Sequence, residues 1–378
     1  MNSNSILIVA GEVSGDIHGG KLVKAIKELS PEINIAGIGG ENMSSAGMKL
    51  LRNVNEMSFL GFTEIIKHLP FVRKVMNELL KWIEIERPKV VVLIDYPGFN
   101  LRLAQKAKKL GCKIIYYISP QIWAWGKGRI KKIARVVDQM IVIFPFEEEL
   151  YRNAGVSVEF VGHPILENLE SSFSREDFFS ENELDPDEKL IGLLPGSRTQ
   201  EVDSLYKIMI DAVDLLKPEY PNMQSITAKS PVLDNAVYTK ITGNDSLKQS
   251  NNIYDIMKHS NLLFVASGTA TLESACFGTP LIVVYRVSPI SWIIGKILVK
   301  IKSIGLVNIV AGKKIAPEIL QSELTPYRLA HEALNILKDD KLYAETSSEL
   351  LNVKKLLGEP GASKKAAEII IKHLQLQN

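Results

Sequence analysis

Two short strings place the most chemistry in this chain: Leu193-Leu-Pro-Gly-Ser-Arg198 and Ala266-Ser-Gly-Thr-Ala-Thr-Leu-Glu273. Each follows an apolar run and opens a predicted helix. Gly196 and Ser197 in the first, and Ser267, Gly268 and Thr269 in the second, let backbone N–H groups approach an anion. The positive end of the helix dipole favours negative charge there. Arg198 adds a forked donor suited to phosphate. Glu273 stands where a helix could offer its carboxylate to a sugar hydroxyl. Two such turns in one half point to a nucleotide diphosphate, with the acceptor left to the other half. Taken singly, each string also reads as an ordinary strand-to-helix turn.

The N-terminal half carries the other candidates. Asp95, in Ile94-Asp-Tyr-Pro-Gly-Phe-Asn100, ends a fully apolar strand. A buried carboxylate without a partner is costly, so one here is expected to act as a base toward an acceptor hydroxyl. The alternative is a helix cap, for which Asn100 competes. Gly11-Glu-Val-Ser-Gly-Asp-Ile-His18 follows the first strand, which makes Ser14, Asp16 and His18 candidates to line a ligand. Asp16 also reads as an N-cap. The glycines do not match the dinucleotide fingerprint. Trp123 and Trp125 lie in Ser119-Pro-Gln-Ile-Trp-Ala-Trp125 and can stack sugars or sit at a membrane interface. Behind them, Lys127, Lys131 and Arg135 share one helix face that could meet a phosphorylated acceptor. His163 closes the first half, as a cleft residue or a structural one.

These residues need a frame, and the chain supplies one. Apolar β-branched runs alternate with helical patterns, from Ser5–Val9 through Val90–Ile94 and Lys113–Ile118 to Glu159–Val161. The alternation restarts at Leu190–Leu194 and runs to Leu281–Val284. Continuous apolar strands, each followed by a helix, predict parallel sheets covered on both faces. The expected fold is α/β, with two doubly wound Rossmann-like domains facing across a cleft. Residues 1–166 are the expected acceptor-binding domain and 190–355 the nucleotide-sugar-binding one. Residues 167–189 lose the apolar period and read as the crossing. The terminal helix, 356–378, either returns to the first domain or exchanges with a second copy in a homodimer.

Composition narrows the classes. The 378 residues suffice for two domains, and 46% of them are hydrophobic, enough for two cores. A net charge of +2 argues against bulk electrostatic binding to nucleic acid. Cys112 and Cys276 read as buried thiols, which fits a reducing cytoplasm. The first apolar run, Ile6–Ala10, is too short for a signal peptide, and no run is long enough to span a bilayer. Two stretches still read as apolar surface: Met57–Phe62, and Ile290–Val299, where Trp292 is flanked by lysines able to snorkel. No His/Cys cluster has metal spacing and no Asp-x-Asp pair occurs, so the expected reaction uses no metal or other cofactor.

Seven motifs then occur in order: Ala10-Gly-Glu-Val-Ser-Gly-Asp16, Ile94–Asn100, Ser119–Trp125, Phe160-Val-Gly-His163, Leu194–Arg198, Ala266–Glu273 and Leu306-Val-Asn308. As a set they resemble the lipid-A-disaccharide synthase family, glycosyltransferases of the two-domain GT-B type. The resemblance runs from the first strand to about residue 320. It implies transfer from UDP-2,3-diacylglucosamine to the 6-hydroxyl of 2,3-diacylglucosamine 1-phosphate, with inversion and release of UDP. It also implies a cytoplasmic protein at the inner-membrane surface of a Gram-negative bacterium. Carried over by the motifs, Asp95 is the general base, Arg198 and Glu273 belong to the UDP site, and Asn308 is a catalytic-site asparagine. Two rivals share the plan: a UDP-sugar 2-epimerase, which needs no apolar surface, and a nucleotide-sugar-binding protein without chemistry.

Overall fold

The computed structural model describes residues 4–57, 69–123, 127–243, 247–288, 292 and 303–375. The chain divides into two compact units, Met1–Glu167 with Leu357–Asn378, and Asn168–Leu356.

The first unit is built on a parallel sheet of β1 (Ser5–Ala10), β2 (Asn34–Gly39), β3 (Lys49–Asn53), β4 (Val90–Ile94), β5 (Lys113–Tyr117), β6 (Gln139–Val142) and β7 (Val158–Phe160). Its order is β3-β2-β1-β4-β5-β6-β7. β1 and β4 are buried along their whole length. This is the reason they read as unbroken apolar runs rather than alternating ones. Leu7, Val9, Leu93 and Tyr116 face one core, which the helices Leu69–Glu86 and Pro97–Lys109 help to cover. The strand order reverses between β1 and β4, and ligands of open α/β sheets bind at the carboxyl ends of strands at such a reversal. Gly11 and Asp95 follow those two ends.

The second unit repeats the architecture with β8 (Leu190–Leu194), β9 (Gln224–Ala228), β10 (Gln249–Ser250), β11 (Leu262–Ala266), β12 (Leu281–Tyr285) and β13 (Glu318–Leu320). The order is β10-β9-β8-β11-β12-β13, again all parallel. Here the reversal falls between β8 and β11, the strands that precede the two Gly-Ser turns.

Two features depart from the sequence expectations. The first helix begins at Val13, ahead of the cap expected at Asp16, so Ser14 and Asp16 lie on its opening turn rather than before it. The stretch 167–189 carries a helix, Arg175–Glu181, capped by Ser174, whose Phe178 and Phe179 are fully buried. Two adjacent aromatics make no helical period, yet each fully buried ring is worth about 1.5–3 kcal/mol. The last helix, Ala362–Gln375, packs on the first helix of its own unit. There the Glu167 carboxylate accepts from the Ser363 N–H (2.7 Å) and hydroxyl (3.0 Å), satisfying a helix start. Both cysteines are buried free thiols. Among the described residues no helix is long and apolar enough to cross a membrane.

Candidate active site

All seven residues expected to hold a nucleotide line one cavity of about 440 Å³ in the second unit: Gly196, Ser197, Arg198, Ser267, Gly268, Thr269 and Glu273. It opens at the β8/β11 reversal. A neighbouring cavity of about 880 Å³ shares Arg198, Glu201, Ala266 and Ser267 and adds Tyr285 and Arg286. Both volumes suit a small-molecule site. The two turns differ in what they offer. A Cβ built on Gly268 meets no protein atom within 4 Å, so the space before that turn is open. Among the described residues no acceptor faces the N–H groups of Gly268, Thr269 and Ala270.

The first turn is already occupied. Gly196 has φ 112°, a conformation reserved for glycine, and it folds the turn back onto Glu201. One Glu201 oxygen accepts from the N–H groups of Ser197 (3.0 Å) and Arg198 (3.3 Å). The amide cradle expected at Gly196–Arg198 is therefore filled by the protein's own carboxylate, because a glutamate on the first helical turn reaches back to orphan donors. What this turn presents to a ligand is the exposed Arg198 guanidinium, lightly held by Glu201 at 3.4 Å. Glu273 is oriented from below by the Tyr254 hydroxyl at 3.2 Å.

In the first unit, Asp95 and Tyr96 both adopt left-handed backbone, with φ 44° and 48°. Such residues cost about 1–3 kcal/mol each and cluster where function demands an aim. The strain is held by the Asp95 carbonyl, which accepts from the Tyr116 hydroxyl (2.5 Å) and the Asn100 amide (2.8 Å). Asn100 also donates to the Ile94 carbonyl (3.2 Å), so it clamps a strand end rather than capping a helix. Gly11 is required by close approach: a Cβ there would sit 2.1 Å from Cγ of Tyr96. Burial, and then the nearby Glu12 carboxylate, push the Asp95 acid up to about 6. This places it in the range a general base needs near neutral pH.

Other expectations are corrected. Asp16 is 3% exposed and caps a different helix from the one expected. Its carboxylate accepts from the N–H groups of Gly40 (2.5 Å), Asn42 (3.1 Å) and Met43 (3.1 Å) and from the Asn42 side chain (2.8 Å). With both oxygens committed it is a structural anchor, not an acceptor ligand. Asp16→Ala is expected to lower unfolding stability by about 3 kcal/mol in urea titrations, since it strands buried donors. Asn308 is 2% exposed, and its amide is spent on Ala316, Ile315 and Glu318, so it touches no reacting group. His18 is half-buried, and burial followed by Lys21 lowers its pKa to about 4. It is neutral near pH 7 and brings no charge to a phosphate. His163 is buried against Phe144, its Nδ1 accepts from the Ile165 N–H at 3.2 Å, and burial pulls its pKa to about 3. That is the structural alternative. Trp123 is half-buried and donates its indole N–H to Glu147 at 3.1 Å, while Ser119 donates to the same oxygen at 2.5 Å. Ser14 is exposed on the first helix, and Lys131 and Arg135 are exposed four residues apart on theirs.

Comparison with known proteins supplies what geometry alone leaves open. The model of the family described as lipid-A-disaccharide synthetase matches residues 6–372. The chain belongs to that family. It is 43% identical over 373 residues to the lipid-A-disaccharide synthase of Syntrophus aciditrophicus, covering 97% of each chain. It is 40% identical over 372 residues to that of Geobacter metallireducens, covering 98% of this chain and 97% of that one. It is therefore a glycosyltransferase of lipid A biosynthesis, with a UDP-sugar donor and a sugar acceptor. Among solved structures, the UDP-GlcNAc 2-epimerase from Neisseria meningitidis bound to UDP-GlcNAc superposes with TM-score 0.63 at 13% identity, over 97% of this chain and 100% of that one. At that identity the likeness is one of fold, and it gives the epimerase alternative no support beyond architecture.

The sequence does not announce every residue of the 440 Å³ cavity. Lys229, Ser230, Asn251 and Ile253 also line it. They follow β9 and β10, and loops at the carboxyl ends of parallel strands are where such residues belong. β10 has only two residues, too few for a hydrophobic signal. Trp125 and most of Met57–Phe62 and Ile290–Val299 lie outside the described residues. Met57 itself is 1% exposed and so is no surface contact.

Proposed function

We propose that the second unit grips the UDP moiety of the donor and that Asp95 of the first unit activates the acceptor. The carrying observation is the convergence of Arg198, Ser267, Gly268, Thr269 and Glu273 on one cavity at a sheet reversal. In this reading the acceptor 6-hydroxyl attacks the anomeric carbon from the face opposite UDP. The new C–O bond forms as the bond to the diphosphate breaks, and the hydroxyl proton passes to Asp95. Negative charge growing on the departing UDP meets Arg198 and the free N–H groups of the Gly268–Ala270 turn. Such preorganised donors commonly supply the largest share of rate enhancement. Glu273 accepts from the ribose hydroxyls.

The proposed substrates are UDP-2,3-diacylglucosamine and 2,3-diacylglucosamine 1-phosphate. The exposed Lys131 and Arg135 are assigned in this reading to attraction of the acceptor phosphate or an anionic membrane surface. Acylated substrates require peripheral access to a bilayer, for which the stretch around Trp292 is the proposed contact. A homodimer is compatible with this scheme and is not needed by it. The deciding experiment incubates the protein with both acylated sugars and reads products by mass spectrometry. A disaccharide 1-phosphate formed with equimolar UDP is expected. Epimerised sugar nucleotide from UDP-N-acetylglucosamine alone, with no disaccharide, would overturn the reading.

A further inference from the structure

We propose that Glu318, paired with Asn308, is a positioning residue for the donor site: the pair fixes the Ile304–Gly305 backbone against the Ser267 turn. The proposal rests on the donor-site reading above. Glu318 opens β13, and its carboxylate accepts from the N–H groups of Ile304 (2.9 Å) and Gly305 (3.0 Å) and from the Asn308 amide (2.8 Å). Three donors converge on one anion. Asn308 is in turn held at full capacity. Its Oδ1 accepts from Ile315 (2.8 Å) and Ala316 (2.9 Å), and its Nδ2 also donates to the Ala316 carbonyl (2.8 Å). The outward end of this network reaches the ligand cavity. The Ile304 carbonyl accepts from the Ser267 hydroxyl at 3.2 Å, and Ser267 lines both donor cavities.

The arrangement leaves no slack. A Cβ on Gly305 would lie 3.1 Å from Val283 and 3.2 Å from the Glu318 carboxylate, so the backbone approaches both closely. The charge also has a reason. Two successive backbone N–H groups and an amide N–H all point at Glu318, and only a carboxylate accepts from all three without presenting a donor of its own. A neutral amide there would turn an N–H toward an N–H: with its oxygen on Gly305 and Asn308 it frees Ile304, with its oxygen on Ile304 it frees Gly305 and Asn308, and either way it loosens the carbonyl that holds Ser267. Asn308 thus acts on the donor through Glu318 and the 304–305 backbone, never by touching it.

The test uses the full-length protein with UDP as the calorimetric probe. Glu318→Gln keeps shape and is expected to weaken UDP binding about tenfold, the scale of one misaligned charge-assisted hydrogen bond. Donor KM should rise while acceptor KM stays at the wild-type value. Asn308→Asp sets two carboxylates together and should weaken UDP at least as much. The swap Asn308→Asp with Glu318→Gln restores only the match between the two side chains and leaves the Gly305 N–H and the Ala316 carbonyl without partners, so its UDP affinity should stay near that of the weaker single variant. Unchanged UDP affinity in Glu318→Gln, or strictly additive losses in the swap, would overturn the proposal, even if the melting temperature falls. Arg198→Ala is the control on the underlying reading. If it too binds UDP normally, the donor site has been misplaced; if it alone loses UDP, only the role of Glu318 fails.

Discussion

Asp95→Asn is expected to lower kcat by about 10²–10⁴, the usual contribution of a general base, while UDP affinity measured by calorimetry stays unchanged. The residue is nearly isosteric, so the strained turn at Asp95 and Tyr96 survives and only proton acceptance is lost. An amide at 95 that retained turnover, or one that lost UDP, would remove Asp95 from this role. The pH profile gives an independent check. A base works only when ionised, and Asp95 titrates near 6 because burial and Glu12 disfavour its charge. Activity should therefore fall as pH drops through about 6 and level off above it. Glu12→Gln removes the like charge and should move that acid limb to lower pH. A limb that stays put, or moves upward, would show that another group is being titrated.

Glu273→Ala is the second large effect. UDP affinity should fall about 10–100-fold, the worth of charge-assisted hydrogen bonds in a semi-enclosed site. UMP and UDP should lose affinity alike, because the ribose is common to both. Arg198→Ala should instead cost UDP much more than UMP, because its guanidinium answers the diphosphate. Tyr254→Phe, which only releases the Glu273 carboxylate from its 3.2 Å partner, should reproduce a fraction of the Glu273 loss. If UMP and UDP respond identically to both Glu273→Ala and Arg198→Ala, the division between ribose and phosphate contacts is wrong.

The contrast between Asp95 and Asp16 shows how far the residues alone could be read. Both are acids that follow apolar strands of the same sheet. One is lifted in pKa with its carbonyl pinned and its backbone strained. The other is saturated by four donors from a segment 24–27 residues away. Nothing local in Gly11–His18 announces Gly40, Asn42 and Met43. Asn308 and Glu201 teach the same lesson. Asn308 belongs to a recognisable motif and Glu201 follows one, and each proved to serve the backbone around it.

What the chain determined by itself was the parallel layering and the place of each turn. Unbroken apolar strands such as Val90–Ile94 must be covered on both faces, and a Gly-Ser turn after one must lie at a sheet's carboxyl edge. Those are consequences of period and burial, which are properties of consecutive residues. Only the tertiary structure decided which polar groups remain free. Whether Arg198 faces a cavity, Asp16 is spent, or Glu318 gathers three donors depends on partners far along the sequence, and hydrogen-bond satisfaction carries no local period.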